Sequence, residues 1–152
     1  SNPNQSYSLP LDFESIEPVF TTFGNSTYAV INNPDPSGIN TSSKVLETVH
    51  GNETWAGLYV DLDSPLDFSS ATSISLNVWA PITGDFRFKI ENSANTNDFV
   101  EVDGSVTSAN SWQEIIVDFS SASSGLYDRL VLFPGWDVAN AGTFYLDNIE
   151  QQ

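Results

Sequence analysis

The stretch NETWAGLYVDL, residues 52–62, alternates side chains with the two-residue period of a β-strand. One face of this strand is apolar and suits a hydrophobic core: Ala56, Leu58, Val60 and Leu62. The other face combines two aromatic rings with a Gly and an acid: Trp55, Gly57, Tyr59 and Asp61. Aromatic rings on the polar face indicate either a second layer of core or a platform for a ligand with flat rings.

The same kind of pattern recurs along the chain. Short runs rich in Val, Ile, Phe, Thr and Tyr alternate with clusters of Gly, Pro, Asn, Asp and Ser, which is typical of an all-β fold. We predict strands at 11–14, 28–31, 43–49, 55–62, 73–80, 85–91, 99–102, 112–119, 127–133 and 143–149. NNPDPSGINTSS and SSASSG are predicted loops, and VDGSVTSANS is a predicted turn-rich connector. This number of strands favours two packed antiparallel sheets, of jelly-roll or immunoglobulin-like topology, and we predict a jelly roll.

The charge balance excludes whole classes of partner. Twenty acidic residues stand against four basic ones, for a formal net charge of −16. The four cations are Lys44, Arg87, Lys89 and Arg129, too few to neutralise a phosphate backbone, so nucleic acid is not an expected partner. The same repulsion disfavours anionic membranes and polyanionic glycans, and it favours a monomer.

The length predicts one domain, and the high acidity suits a secreted or cell-surface protein. A chain of 152 residues buries about two-thirds of its unfolded surface in a single core. It contains neither Cys nor Met, which rules out disulfides and thiolate metal sites, and no apolar run approaches the ~20 residues of a membrane span. The polar ends SNPNQSYS and EQQ look like linker, so we predict a linker stub at 1–8 and one module at 9–152.

Eight short motifs follow one another between Leu9 and Glu150: LPLDFE, NPDPSGINTSSKV, WAGLYVDLDSPLDFS, ISLNVWAP, FKIEN, WQEIIVDFS, VLFPGW and TFYLDNI. This series resembles the β-jelly-roll carbohydrate-binding modules appended to polysaccharide-degrading enzymes and glycan-binding lipoproteins, especially of Bacteroidetes. The resemblance implies a non-catalytic module of a larger enzyme or surface protein. It also implies a structural calcium ion (Ca²⁺) and a sugar-binding sheet or loop rim.

The resemblance further implies which residues hold the calcium. In such modules an acid of the opening FE motif and the Asp of the closing DNI motif bind the ion; here these are Glu14 and Asp147. Asp12 is nearby, and the Lys44 carbonyl is a further candidate ligand. Calcium takes six to eight hard oxygen ligands, backbone carbonyls included, so this set suits it. The alternative is that Asp12 and Glu14 are solvated edge residues.

The four Trp residues differ in their expected roles. Trp55 shares its face with Gly57, and Trp136 follows FPG in a predicted loop, so both are predicted to stack on sugar rings. Packing beneath neighbouring loops is the alternative for each. Trp79, before an Ala-Pro turn, suits either a loop contact or a binding rim, whereas Trp112 opens a strand and is expected to be structural.

Charged side chains are predicted to share the aromatic face. In DFRFKIEN the apolar residues alternate with Arg87, Lys89 and Glu91, and in YDRLVLF the inward Leu residues direct Arg129 outward. Ordinary jelly-roll strand order would place these strands in the sheet of Trp55, with Tyr59 on the same face. Sugars stack their C–H faces on aromatic rings and hydrogen-bond through their hydroxyls, so the mixture suits them. The alternative is a solvated face of salt-bridged charges, such as Lys89 with Glu91.

Motifs for catalysis are largely missing. His50 is the only His, and the chain has no Gly-x-Ser-x-Gly elbow, no HExxH and no phosphate-binding Gly loop. Glycoside hydrolysis needs only two carboxylates, which twenty acids satisfy by chance; Glu91 with Glu53 or Asp61 is the pair to test. A lyase would use Tyr59 and Arg87 but would lack a His beside them.

We therefore predict a non-catalytic module that binds a neutral polysaccharide. A β-glucan is favoured, with β-1,3-glucan (laminarin) first because modules of this appearance often serve laminarin degradation. The alternatives are an adhesion or spacer β-sandwich without a glycan site, and a small glycan lyase or hydrolase.

Overall fold

The structure is a computed structural model that describes residues 7–152 as two five-stranded β-sheets, with no helical residue in that range. The ten strands are β1 Thr21–Phe23, β2 Thr27–Asn32, β3 Lys44–Val49, β4 Gly57–Asp61, β5 Ser73–Trp79, β6 Gly84–Asn92, β7 Asn95–Val106, β8 Trp112–Asp118, β9 Arg129–Phe133 and β10 Thr143–Gln151. The predicted all-β jelly-roll sandwich is confirmed.

Neighbouring strands in both sheets are antiparallel. The first sheet has the order β1-β4-β9-β6-β7 and the second the order β2-β3-β10-β5-β8. Alternate residues of each strand point between the sheets, where Leu58, Phe88 and Leu132 of the first meet Leu76 and Leu146 of the second in one core cluster. All five are fully buried, and because a strand has a period of two, their neighbours along the chain must point to the outer faces.

The beginning of the predicted strand list differs from the observed strands. Residues 11–14 contribute a single bridge, Leu11 with Ile149, because Phe13 takes a φ of 64°, which breaks the extended conformation. The short strand β1 was not predicted, since three residues carry too little alternation to be recognised. These two differences leave the number of strands unchanged.

Strand β7 is much longer than the predicted 99–102. It runs from Asn95 to Val106 and forms a hairpin with β6. Its side chains are largely polar and it lies at the sheet edge, so the apolar alternation that marks inner strands is weak here. The predicted connector at 102–111 is therefore partly wrong, because its first five residues belong to β7.

The predicted loops connect strands as expected, at 32–43 between β2 and β3 and at 120–125 between β8 and β9. Of the predicted linker, residues 1–6 lie outside the described residues. Tyr7 is buried in the core and pairs with Leu62. Residues 7–152 contain no helix that is long and apolar enough to cross a membrane.

Candidate functional site

The outer face of the first sheet gathers the side chains that the sequence singled out. Strands β4, β9 and β6 belong to one sheet, as predicted; they lie side by side in it, and their register aligns residues in rows across the sheet. One row holds Phe133, Arg87 and Asp103; the next holds Thr21, Tyr59, Val131, Lys89 and Glu101; the third holds Asp61, Arg129, Glu91 and Phe99. We call this surface the outer face of the first sheet.

Arg87 is held by two carboxylates and one ring. Its Nε and Nη2 donate to the two carboxylate oxygens of Asp103 at 2.7 and 3.1 Å, and its Nη1 donates to Glu101 at 3.1 Å. Its guanidinium carbon lies 3.9 Å from the centroid of the Trp136 ring. The hydrogen bonds to Asp103 raise the pKa of Arg87, so it stays fully charged.

Arg129 repeats this arrangement one strand away. It donates to both oxygens of Asp61 at 2.6 and 3.4 Å and to Glu91 at 3.1 Å. Its guanidinium carbon lies 4.1 Å from the centroid of the Tyr59 ring. Burial acts to lower the pKa of Arg129, but the hydrogen bonds to the two carboxylates outweigh it and raise the pKa.

Lys89 completes the charge network between the two arginines. Its Nζ lies 3.1 Å from Glu91 and 4.5 Å from the centroid of the Phe99 ring. Glu91 is only 6% exposed and its two oxygens bind two different cations, Arg129 and Lys89. The three cations of this face are thus paired with four carboxylates, as the salt-bridged alternative predicted.

An aromatic cluster borders the charge network. Trp55 stacks on Phe23 with ring centroids 6.4 Å apart and an angle of 13° between the planes. Phe23 contacts Phe133 edge to face at 5.5 Å, and Phe133 contacts Trp136 in the same way at 5.1 Å. Trp55 is 48% exposed, so its ring combines one packed surface with an open one.

Phe23 is the member of this cluster that the sequence analysis missed, because its strand, β1, was not recognised. Its ring occupies the space above Gly57, where a Cβ would come within 3.0 Å of the ring and 2.3 Å of the Leu132 carbonyl oxygen. The outward position of Phe133 can be predicted from the sequence, because YDRLVLF alternates inward Leu residues with outward ones.

Backbone hydrogen bonds fix the two loops that carry the Trp residues. The Asp137 amide donates to the Thr54 carbonyl at 3.0 Å and the Trp136 amide donates to the Asp85 carbonyl at 3.1 Å. Trp136 is consequently half-buried against the sheet, in place of the loop-tip position expected for it. Trp55 and Trp136 therefore hold defined positions at the same end of the outer face.

Trp79 and Trp112 lie on the opposite sheet. They are direct cross-strand neighbours on β5 and β8. The Nε1 of Trp79 donates to the Asp35 carboxylate at 3.2 Å, and that of Trp112 donates to the Asp35 carbonyl at 2.7 Å. Both rings thus anchor the 33–43 loop, and the structure does not bring Trp79 together with Trp55.

Asp147, the acid of the closing DNI motif, occupies an unusual environment. Asp147 is completely buried, and no ion pair joins it to a basic side chain within residues 7–152. One of its oxygens accepts hydrogen bonds from Asn40, at 2.9 Å, and from the Ser42 hydroxyl. Burial raises the pKa of Asp147, and the negative charge of Glu14 raises it further.

Other oxygen atoms lie around Asp147. The Ser42 hydroxyl is 3.2 Å from the Lys44 carbonyl oxygen, and one Glu14 oxygen accepts the Ser43 and Lys44 amides at 2.9 and 3.3 Å. Carboxylate, hydroxyl and carbonyl oxygens beside an uncompensated buried carboxylate fit a calcium ion. Within residues 7–152 no three His, Cys, Asp or Glu side chains form a metal-holding group, so such a site would need Ser42 and Lys44.

Asp12 contacts the local backbone and makes no hydrogen bond to Asp147 or Ser42 within the described residues. Its carboxylate accepts the Glu14 amide at 3.2 Å within a local turn and is exposed. The Lys44 ammonium donates to the Asn32 side chain at 2.7 Å. The carbonyl oxygen of Lys44, in contrast, contacts the same Ser42 hydroxyl that donates to Asp147.

The groups considered for catalysis do not form a recognisable catalytic set. His50 is buried, with Nδ1 2.8 Å from the Gly51 carbonyl oxygen and Nε2 without a partner in the described residues. Glu91 and Asp61, the carboxylates proposed for a hydrolase, both bind Arg129. The outer face therefore offers rings and fixed hydrogen-bonding groups.

Comparison with known proteins identifies the fold as that of β-sandwich carbohydrate-binding modules. The CBM22-2 xylan-binding domain of Paenibacillus barcinonensis Xyn10C is 19% identical, with a TM-score of 0.66 over 93% of this chain and 96% of that chain. The family 11 module of Clostridium thermocellum, solved with a β-1,3-1,4-mixed-linked tetrasaccharide, is also 19% identical, with a TM-score of 0.66 over 92% and 91%.

A third structure has the fold joined to another domain. The CBM22-1–GH10 modules of Clostridium thermocellum Xyn10B, solved with xylohexaose, match at 14% identity and a TM-score of 0.68, over 95% of this chain and 28% of that one. No protein-family model matches the sequence, and no curated protein matches it. The resemblance to carbohydrate-binding modules is thus confirmed for the fold.

Proposed function

We propose that this domain is a non-catalytic carbohydrate-binding module that binds a neutral polysaccharide on the outer face of the first sheet. The observation that carries the proposal is the open ring of Trp55, backed by Phe23 and placed beside a row of fixed charged groups. A sugar ring can stack on the open surface of Trp55 while the arginine and carboxylate groups bind its hydroxyls.

The favoured ligand is a β-glucan, with β-1,3-glucan first. The net charge of −16 and the carboxylates of the face support an uncharged polymer. Structural neighbours described as xylan-binding, or solved with a β-1,3-1,4-mixed-linked tetrasaccharide, support a neutral polysaccharide in general. The proposed preference for laminarin rests on the resemblance of the sequence motifs alone.

The module would serve a larger secreted or cell-surface protein, either a polysaccharide-degrading enzyme or a glycan-binding receptor. A neighbour that carries the same fold next to a GH10 module supports this role. The Bacteroidetes origin implied by the sequence motifs stays a prediction.

We also propose that a calcium ion binds between the two ends of the domain. Asp147, Glu14, the Ser42 hydroxyl and the Lys44 carbonyl would hold it, with Asp12 beside them. The ion would compensate the buried charge of Asp147 and tie the first residues of the domain to its last strand.

Affinity electrophoresis tests the binding function. Native gels containing laminarin, mixed-linkage β-glucan, xylan or mannan should retard the wild-type protein in at least one case. Trp55→Ala should lose about tenfold or more of that affinity, since one stacked ring contributes about 1.4 kcal/mol or more. Ile116→Ala, an exposed apolar residue of the opposite sheet, is the matched control and should migrate like wild type.

The rival functions predict different outcomes. Free migration of the wild-type protein through every gel would overturn the binding proposal and favour a spacer β-sandwich. The appearance of reducing ends or of unsaturated products during incubation would indicate a hydrolase or a lyase.

A further inference from the structure

We propose that Glu101 and Asp103 of strand β7 are specificity residues that keep Arg87 from binding acidic sugars. The domain would then bind uronate-containing glycans less well because of the contacts at Arg87. This local effect would add to the general repulsion from the protein's net negative charge. The inference rests on the proposed function, because it concerns the choice among glycans on the outer face of the first sheet.

Each of the three guanidinium nitrogens of Arg87 already donates one hydrogen bond to a carboxylate, so the carboxylate of a ligand would meet the negative charges of Asp103 and Glu101 at this position. Three of its N–H groups donate to Asp103 and Glu101, with Asp103 engaged through both of its oxygens. The Trp136 ring covers one face of the guanidinium. A carboxylate of a ligand would compete with side chains that are tethered beside the arginine at a high effective concentration.

A neutral sugar faces no such competition. A guanidinium has five N–H groups, so the two that Arg87 does not use among residues 7–152 can donate to hydroxyls. The carboxylates of Asp103 and Glu101 can accept hydrogen bonds from hydroxyls at the same time. The same groups therefore favour uncharged sugars and repel acidic ones.

Position in the sheet makes these two acids suitable for adjusting specificity. Strand β7 is at the edge of the sheet, and both acids are exposed and, within the described part of the chain, form ion pairs with Arg87 alone. Glu91, in contrast, is buried and binds two cations, so its replacement would disturb the face itself. Replacement of Glu101 and Asp103 by neutral residues removes the two carboxylates that compete with a ligand for Arg87. It leaves the ion pairs of Glu91 in place.

The test compares two double variants with the same change in charge. Glu101→Gln with Asp103→Asn frees Arg87, whereas Glu114→Gln with Asp118→Asn removes two exposed acids from β8 on the opposite sheet. Calorimetric titrations use a neutral β-glucan oligosaccharide and an oligouronate of equal length. A salt concentration of 0.15 M shortens the range of the overall repulsion to about 8 Å, so local effects dominate.

We expect the β7 variant to gain about fivefold or more in affinity for the oligouronate, because a freed guanidinium forms a paired contact with a carboxylate. Adding Arg87→Gln to that variant should cancel the gain. An equal gain in the β8 variant, or none in the β7 variant, would overturn the inference. If the wild type binds no neutral glycan at all, the proposed function fails instead, so the two failures are distinguishable.

Discussion

The guanidinium carbon of Arg129 lies over the ring of Tyr59, 4.1 Å from its centroid. Arg87 covers Trp136 in the same way, so two of the rings expected to stack on sugars each have one face occupied by a protein cation. No cation of residues 7–152 lies over the ring of Trp55, which is the member of the aromatic cluster that remains about half exposed. Among the described residues of the outer face, Trp55 thus combines an open ring with the absence of a cation above it, whereas Phe99, 45% exposed on the edge strand β7, has Lys89 over its ring.

This difference between rings predicts unequal effects of substitution on glycan affinity. Trp55→Ala should weaken binding about tenfold or more, as stated above, whereas Tyr59→Leu should change it by less than about threefold. Leu preserves an apolar support beneath Arg129. Titration of both variants with the glycan that retards the wild-type protein checks this, and equal losses would show that the Tyr59 ring takes part in stacking.

Glu91 is expected to stabilise the fold more than its exposed counterpart Glu101. Glu91→Gln leaves Arg129 and Lys89 without a shared buried partner, which we expect to cost about 2–4 kcal/mol of unfolding free energy. Glu101→Gln breaks one partly exposed pair and should cost about 1 kcal/mol or less. Urea unfolding of both variants provides the comparison, and similar values would contradict the central role of Glu91.

Gly57→Ala should destabilise the domain and displace an aromatic ring. The added Cβ would lie 2.3 Å from the Leu132 carbonyl oxygen and 3.0 Å from the Phe23 ring, so backbone or ring must move. We expect a loss of about 1–3 kcal/mol and reduced glycan affinity. Thr21→Ala, an exposed residue on the neighbouring strand β1, should stay within about 0.5 kcal/mol of wild type. A fully stable Gly57→Ala variant would contradict the close packing at this position.

Removal of calcium should lower the thermal stability. At a calcium concentration one hundred times Kd, binding contributes about 2.7 kcal/mol, which corresponds to about 5–10 °C in Tm for a domain of this size. EDTA should abolish that increment, and Asp147→Asn should not respond to calcium. Glu114→Gln, which removes a carboxylate on β8, should respond like wild type. A Tm that is the same in calcium and in EDTA would rule out the proposed ion.

The pH dependence of the calcium effect follows from the raised pKa of Asp147. Burial lifts this pKa above its ordinary value of 3.8, so between the two values the folded protein keeps a proton that the unfolded chain has lost. Without calcium, this residue's contribution to stability therefore decreases as the pH rises through the folded pKa. Calcium needs the ionised carboxylate, so the difference in Tm between calcium and EDTA should grow from pH 4 to pH 7. A difference independent of pH would contradict the role of Asp147.

Much of the outer face could be predicted from alternation within single strands. Arg87, Lys89 and Glu91 share a face because their apolar neighbours Phe86, Phe88 and Ile90 are buried, and burial of one face forces the next residue outward. Phe23 could not be found in this way, because its strand is too short to alternate. The partner of Trp79 was likewise hidden, since Asp35 lies 44 positions away in a loop.

The sequence by itself determined the all-β fold class, the inward and outward residues of the longer strands, and the excess of acid that argues against polyanionic partners. These properties depend on composition and on a period of two, which are local. Only the tertiary structure decided that Arg129 covers Tyr59, that Arg87 covers Trp136 and that Trp55 stays open. Such contacts join strands far apart in the chain, and they depend on strand order and register, which no single strand encodes.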